Sequence, residues 1–375
     1  MAKKLYSFLP ALVFLVFLFG MAIALFAGPV RDYSENEKRY LAGRPEVTAQ
    51  KLLDGKTQEY LESFTSDQVP GRDLFVGIDA YWTLATGRNT AEDIYHAKDG
   101  YLINAPKSFD EGVFTANLTR FDEFTRALGV PGDLVMVPST GYLMTDVLPA
   151  GHGTYDDDLL YEKAAELLQT TRLIDVRQTL KDGVQQGQVC YRTDHHLTSF
   201  GNYLLYRAYQ AAQGLSVPDE SAYAVTSYDG FYGTTWSGSG YWLTKPDHVE
   251  TWDRGQPVTV TLSDAGQEDA TYDSLFFPSH LDALDKYPVF LDGNHALVTI
   301  RNEDAAGGSL LVVRDSYAHC LATFLAGDYQ TIYLVDFRYY RDTLSQFVAE
   351  HPVDRVLYLY GVDNLVSDTN SAWLK

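Results

Sequence analysis

The C-terminal part of the chain carries the pattern that most constrains its fold. Apolar strands at Leu310–Val313, Ile332–Val335 and Val356–Tyr360 alternate with helical stretches at about 317–326 and 343–350. A β-α-β-α-β order implies parallel strands joined by right-handed crossovers, hence an α/β sheet flanked by helices. Upstream, Leu134–Val137 ends at Pro138 as a short strand, and Leu173–Val176 reads as another. Asp156-Asp157-Asp158 opens an amphipathic helix through Leu168, with acids at its positive end. Thr198 can cap a helix running to about Gln213 and stopped by Gly214. Gln58–Phe64 and Asp73–Thr86 read as helices parted by Pro70-Gly71. Between about 218 and 300 the rhythm changes. Gly, Tyr, Thr and Trp dominate, as in Tyr228–Trp236, and strands such as Val258–Leu262 are expected to be antiparallel. This stretch reads as a β-rich insertion in one α/β domain spanning residues 31–375.

The N-terminus directs the chain out of the cytoplasm. Lys3 and Lys4 precede an uncharged run of 26 residues from Leu5 to Val30. A spanning helix needs about 20 apolar residues, and a cleavable signal about 7–15. Residues 1–30 are therefore expected to be a signal anchor, with the two lysines inside and the body outside. The alternative is a secreted body released by cleavage at Ala22-Ile23-Ala24. The polar stretch Arg31–Glu37 is expected to be a short stalk. The remaining composition narrows the partners. With 29 Lys and Arg against 50 Asp and Glu, the net charge of −21 excludes nucleic acid, whose binding needs cations to displace counterions. It also argues against docking on anionic lipid through a basic patch. Cys190 and Cys320 alone cannot make a disulfide-stapled scaffold or a Cys-rich zinc module. The 27 Tyr and 5 Trp suit stacking on sugars as well as ordinary core use.

Two segments carry chemistry. In Leu311-Val312-Val313-Arg314-Asp315-Ser316-Tyr317 an apolar strand ends, turns and becomes a helix. Ligands bind at the carboxyl ends of parallel strands, and backbone N–H groups opening the next helix face a developing anion there. Ser316 is thus either a nucleophile or a helix cap. In Thr193-Asp194-His195-His196-Leu197-Thr198, Asp194 and His196 are two apart. An extended segment would place them on one side, so that one orients the other; the plainer reading is a capping Asp and two surface histidines.

Together with Tyr33–Leu41, Asp67–Asp73, Arg192–His196, Phe290–His295 and Arg314–Ala318, these segments give the chain a recognisable order. It resembles the DHHW-motif proteins, an extracytoplasmic family of Gram-positive bacteria related to the SGNH-like domain of periplasmic alginate O-acetyltransferases. One position departs: the family's Trp after the second His is Leu197 here. The resemblance implies an SGNH-hydrolase-like sheet with Asp194 as orienting acid, His196 as general base and Ser316 as nucleophile. His195 is the competing base. The oxyanion would meet the Ser316 N–H and one further donor, with Asn294 as a candidate or alternatively an Asx-turn residue. Tyr317 either lines the site or packs. The implied reaction is acyl transfer to a polysaccharide or oligosaccharide acceptor, fed across the membrane by a multi-pass acyltransferase partner, with no cofactor and no metal. The alternatives are a carbohydrate esterase with the same triad and a non-catalytic glycan-binding protein. A metal-dependent deacetylase built on Asp194, His195 and His196 is disfavoured, because no other histidines stand in an H-x₃-H pair. Cys190 lies four residues before Asp194 and Cys320 four after Ser316. Two buried free thiols are expected, with a disulfide as the alternative that export would permit.

Overall fold

The structure, a computed structural model, describes residues 2–46, 48–54 and 56–374. The side chains of Lys3 and Lys4, on which the expected orientation rests, lie outside the described residues. The chain forms two compact units. One takes the residues up to Ala91 together with Ser237–Trp242; the other runs from Glu92 to Trp236 and onward from Leu243.

The first unit contains helix α1 (Ala2–Ala27), α2 (Lys56–Gln68) and α3 (Arg72–Ala85). Phe8–Ala27 is long and apolar enough to cross a membrane. The residues after it do not form the expected stalk. Tyr33–Ser34 pairs with Arg39–Tyr40, and the Arg39 guanidinium meets Asp67 through 3.0 and 2.5 Å contacts. Ala42 N–H donates to the same carboxylate at 2.8 Å, and Arg72 pairs with Glu37. A polar run becomes ordered because its charges have fixed partners on α2 and α3. Gly71 makes the break between these helices possible, at φ 74° where a side chain would be strained.

In the second unit, besides the short paired strands Ile94–His96 and Leu102–Asn104, the strands are β1 (Gly132–Val137), β2 (Arg172–Ile174), β3 (Ala224–Phe231), β4 (Asp247–Asp253), β5 (Thr259–Ser263), β6 (Ala270–Tyr272), β7 (Leu297–Arg301), β8 (Gly307–Arg314), β9 (Tyr329–Val335) and β10 (Arg355–Gly361). Eight of them form one sheet in the order β6-β5-β7-β9-β8-β10-β1-β2. From β9 to β2 every neighbouring pair is parallel, as the apolar runs predict; β7, β5 and β6 extend the β9 edge antiparallel. Strands β3 and β4 form a separate antiparallel hairpin. The 218–300 stretch is thus β-rich as expected, and part of it belongs to the main sheet.

Both faces of the sheet are covered, which is why its central strands are apolar without alternation. Val135, Leu310, Val312, Leu334 and Leu357 meet α6 (Ser199–Ala212) and α7 (Ala318–Leu325). Leu134, Met136, Leu311, Val313 and Tyr358 meet α4 (Glu111–Leu128) and α5 (Asp157–Leu167) on the other face. Burial of each such side chain contributes about 1.5–3 kcal/mol. The central strand β8 passes by way of α7 to β9 on one side, and the chain then returns by way of α8 (Leu344–Glu350) to β10 on the other. That reversal opens a crevice at the carboxyl end of β8.

Candidate active site

The residue after β8 and the one beyond it form the turn into α7. Asp315 N–H donates to Leu359 O at 3.2 Å, anchoring the strand end to β10. The Asp315 carboxylate accepts from Tyr317 N–H at 2.9 Å, Gly361 N–H at 2.8 Å and Asn364 Nδ2 at 2.8 Å. Burial pushes this carboxyl above its ordinary range, and the three donors oppose the shift. Beneath the turn, the fully buried Arg314 meets Asp336 at 3.2 Å and His319 Nε2 at 2.5 Å. Burial, followed by the Arg314 charge, holds His319 well below the ordinary histidine range. Its ring is therefore neutral and accepts from Arg314. Asp336 also binds Arg338 at 2.6 Å, so the ends of β8 and β9 are locked under Ser316.

The base comes from a different element. Cys190 and Leu197 form an isolated antiparallel bridge, and Tyr191 N–H donates to His196 O at 3.2 Å. Residues 191–196 are thus a closed loop rather than the extended segment expected. Asp194 and His196 meet for another reason: Asp194 Oδ1 accepts His196 N–H at 2.9 Å, an Asx turn. The same oxygen lies 2.5 Å from His196 Nδ1. Nε2 of that ring lies 2.8 Å from Ser316 Oγ. With Nδ1–H donating to the carboxylate, Nε2 is the acceptor for the serine proton. Asp194 and His196 are buried and Ser316 is half-buried, so the serine is the member of this line most open to solvent.

Three residues that the sequence did not single out complete the arrangement. Thr234 donates to Asp194 Oδ2 through N–H at 2.7 Å and Oγ–H at 2.9 Å, so the carboxylate has four donors. Asp247 accepts from Thr193 N–H at 2.7 Å, Thr193 Oγ at 2.8 Å and Arg192 N–H at 2.8 Å, closing the loop from below. The Tyr287 ring stacks on His196 at 3.9 Å and 11°, fixing the plane of the base. The one sequence signal for the Thr234 contact is Gly233. A Cβ there would stand 2.1 Å from Asp194 Cβ, so only glycine lets the backbone approach.

The other candidate residues take different places. His195 Nδ1 lies 2.6 Å from Thr234 Oγ1, so this imidazole addresses the threonine rather than Ser316. Tyr317 is buried; its hydroxyl donates to His195 O at 2.8 Å and its ring sits edge-on to His196 at 5.1 Å. Its N–H is committed to Asp315, leaving the Ser316 N–H as the donor at the turn with no protein acceptor among the described residues. Asn294 is exposed and accepts from Arg338 Nη2 at 3.0 Å; among the described residues no hydrogen bond joins it to Asp194, His196 or Ser316. Leu197 is buried in the core under the loop, so the departure from the family Trp falls on packing. Cys190 and Cys320 are free and buried, and burial pushes both thiols up to about 12. Asp194, His195 and His196 also offer ligand atoms within 4.8 Å of one another, the spacing of a metal cluster. The nitrogens in question already face Asp194, Ser316 and Thr234 in hydrogen-bond geometry.

Residues 178–335, which hold all three members of this line, match the family model described as DHHW protein. Over that segment the chain is similar to DHHW proteins. A DHHW family protein from Eubacterium siraeum superposes with a TM-score of 0.64 at 19% identity, covering 76% of this chain and 95% of that one. Bacillus cereus PatB1, solved with a sulfonyl adduct, gives 0.63 at 17% identity, covering 75% and 100%. The O-acetyltransferase domain of Pseudomonas putida AlgJ gives 0.45 at 15% identity, covering 73% and 92%. No curated protein matches the chain in sequence. At these identities the likeness is one of fold, that of an SGNH-like α/β sheet.

Proposed function

We propose that the protein is a serine O-acyltransferase that moves an acetyl group to a hydroxyl of a cell-surface polysaccharide, outside the cytoplasm. The observation that carries this reading is the unbroken line from Ser316 Oγ to His196 Nε2 and from His196 Nδ1 to Asp194. In the first half-reaction Ser316 Oγ bonds to the acyl carbon while its proton passes to His196 Nε2. That proton leaves with the departing donor oxygen as the donor bond breaks. In the second half-reaction the acceptor hydroxyl bonds to the acyl carbon as its proton passes to His196, which returns a proton to Oγ as the Ser316–acyl bond breaks. The developing oxyanion faces the Ser316 N–H at the opening of α7. The imidazolium formed in each half is stabilised by Asp194, whose carboxylate is held by Thr234 and by the Asx turn.

Transfer rather than hydrolysis is supported by the resemblance of the order Asp194, His196, Ser316 to that implied for O-acetyltransferases, and by the apolar helix. We read that helix as an uncleaved anchor that keeps the body beside emerging polymers and a membrane-embedded acyl donor partner. The test is incubation of the full chain in detergent with an acetyl ester donor and a panel of oligosaccharides, with products read by mass spectrometry. Acetylated oligosaccharide that disappears with Ser316→Ala is expected. Acetate alone in every mixture would make the enzyme an esterase, and no turnover at all would leave a glycan-binding protein.

A further inference from the structure

The first unit has an amphipathic helix turned inside out. On α3 the large apolar residues facing solvent are Leu74, Phe75, Ile78 and Trp82, exposed to 64, 45, 55 and 67%, with Asp79 and Ala85 the other exposed positions. Gly77 and Ala80, small residues, face inward. Positions 74, 78 and 82 recur every four residues, so they form one stripe about 12 Å long at 1.5 Å per residue. Leu53 at 84% and Leu52 at 59% add to the apolar surface of the same unit just before α2.

Such a face requires a cover, and the unit itself says which. The end of α1 is stapled to the start of α3. Arg31, four residues beyond Ala27, exchanges backbone hydrogen bonds with the Gln68 side chain at 3.0 and 2.8 Å and pairs with Asp73 at 3.4 Å. Arg44 donates to Gly28 O at 2.9 Å, and Phe26 lies ring to ring with Phe64 at 6.1 Å. The 20-residue apolar stretch Phe8–Ala27 matches the hydrocarbon thickness of a bilayer, so its end lies at the headgroups and α3 starts there. Charge agrees. Residues up to 91 contain ten Lys and Arg and ten Asp and Glu, so the −21 of the chain resides wholly in the rest. The anchor-bearing unit is electrically neutral and apolar where the body is strongly acidic.

We propose that α3 lies in the outer headgroup interface of the membrane, with Leu74, Phe75, Ile78 and Trp82 immersed among the acyl-chain ends. The partner is lipid, reached through apolar contact rather than basic charge. The anchor and α3 then make two attachments from one rigid clasp, which fixes the tilt of the first unit against the bilayer. This inference rests on the reading of α1 as an uncleaved anchor.

The experiment uses the full chain in phosphatidylcholine nanodiscs, with a nitroxide on a single introduced cysteine; Cys190 and Cys320 are buried and do not compete. Labels are placed by Ile78→Cys, by Phe17→Cys in the anchor and by Val225→Cys on the exposed face of the body. Collision with oxygen and with a water-soluble nickel chelate reads depth. The expected result is a Phe17 label deep in the bilayer, an Ile78 label favouring oxygen at shallow depth, and a Val225 label favouring nickel. A deep Phe17 label with an Ile78 label as nickel-accessible as Val225 overturns the inference and leaves the anchor standing. An Ile78 label shielded from both reagents, with a short label-to-label distance between copies, overturns it in favour of a dimer contact. A mature chain that has lost α1 and stays in solution overturns the inference and the anchor together. A Trp82→Gln variant that keeps its helix content and anchor insertion but gains water accessibility at position 78 supports immersion through this stripe.

Discussion

Replacing Gly233 by alanine tests how Asp194, the orienting acid of the proposed triad, is held. The added methyl would stand 2.1 Å from Asp194 Cβ and 2.4 Å from Asp194 Oδ2. Carbon atoms rest about 3.5–4.0 Å apart, so the 233–234 backbone and Asp194 must separate by more than ~1 Å. Neither side can yield cheaply. Asp194 is tied to His196 at both N–H and Nδ1, and the backbone on the other side carries the Thr234 N–H bond at 2.7 Å. The displacement therefore passes into the imidazole that faces Ser316. A misplacement of ~1 Å costs on the order of a hundredfold in rate. The cost in stability is smaller, about 1–3 kcal/mol for an overpacked site, so the variant should remain folded. The assay pairs hydrolysis of a chromogenic acetyl ester with circular dichroism and thermal melting of the same preparation. The expected result is a rate lowered on the order of a hundredfold in a protein with unchanged helix content. A Gly233→Ala enzyme as fast as the parent would refute the claim that Asp194 positions the base from this contact.

Thr234→Val removes one charged hydrogen bond to Asp194 and keeps the backbone one; such a bond contributes about 1.5–3 kcal/mol, so a rate loss of roughly tenfold to a hundredfold is expected. His195→Ala, measured beside it, should lose far less than His196→Ala, because only His196 reaches Ser316; equal losses would make His195 the base. Asp157 gives a pH signature. Burial and the neighbouring Asp363 raise its carboxyl from 3.8 to about 6, so the folded state binds a proton more tightly than the unfolded one. Its contribution is complete below pH 3.8 and is lost as pH rises to about 6, a change on the order of 3 kcal/mol. Asp157→Asn keeps the oxygen that accepts Ser139 N–H and should flatten the stability curve between these values; denaturant melts at a series of pH values would show it, and an unaltered slope would count against the shift.

The parallel half of the sheet was legible because its strands are buried on both faces. Leu310–Val313 or Val356–Tyr360 cannot be anything exposed, and the helices between them follow from length alone. The serine was legible for a related reason, since its place after β8 is a property of the topology. The pairing of Asp194 with His196 was reached from the right residues by the wrong geometry. An Asx turn and an extended strand both bring i and i+2 together, and spacing does not tell them apart. Apart from Gly233, nothing in the sequence marked the supports. Thr234, Asp247 and Tyr287 lie 40, 53 and 93 positions or so from the loop they hold, inside a stretch whose Gly-Tyr-Thr composition suits many roles. The clasp after α1 was misread because Arg31–Glu37 is polar. Its partners Asp67, Arg72 and Asp73 stand 28, 35 and 42 residues from the groups they hold.

The most direct measurement of the central claim is the covalent state of Ser316 during turnover. The full chain is mixed with an acetyl ester donor, quenched in acid within the turnover time, digested and read by peptide mass spectrometry. The account predicts one acetyl group on the peptide containing Ser316, absent from Ser316→Ala and discharged when an acceptor oligosaccharide is added before the quench. An unmodified Ser316 peptide, with turnover that survives Ser316→Ala and is lost on chelation, would contradict it and return the chemistry to a metal held by Asp194, His195 and His196.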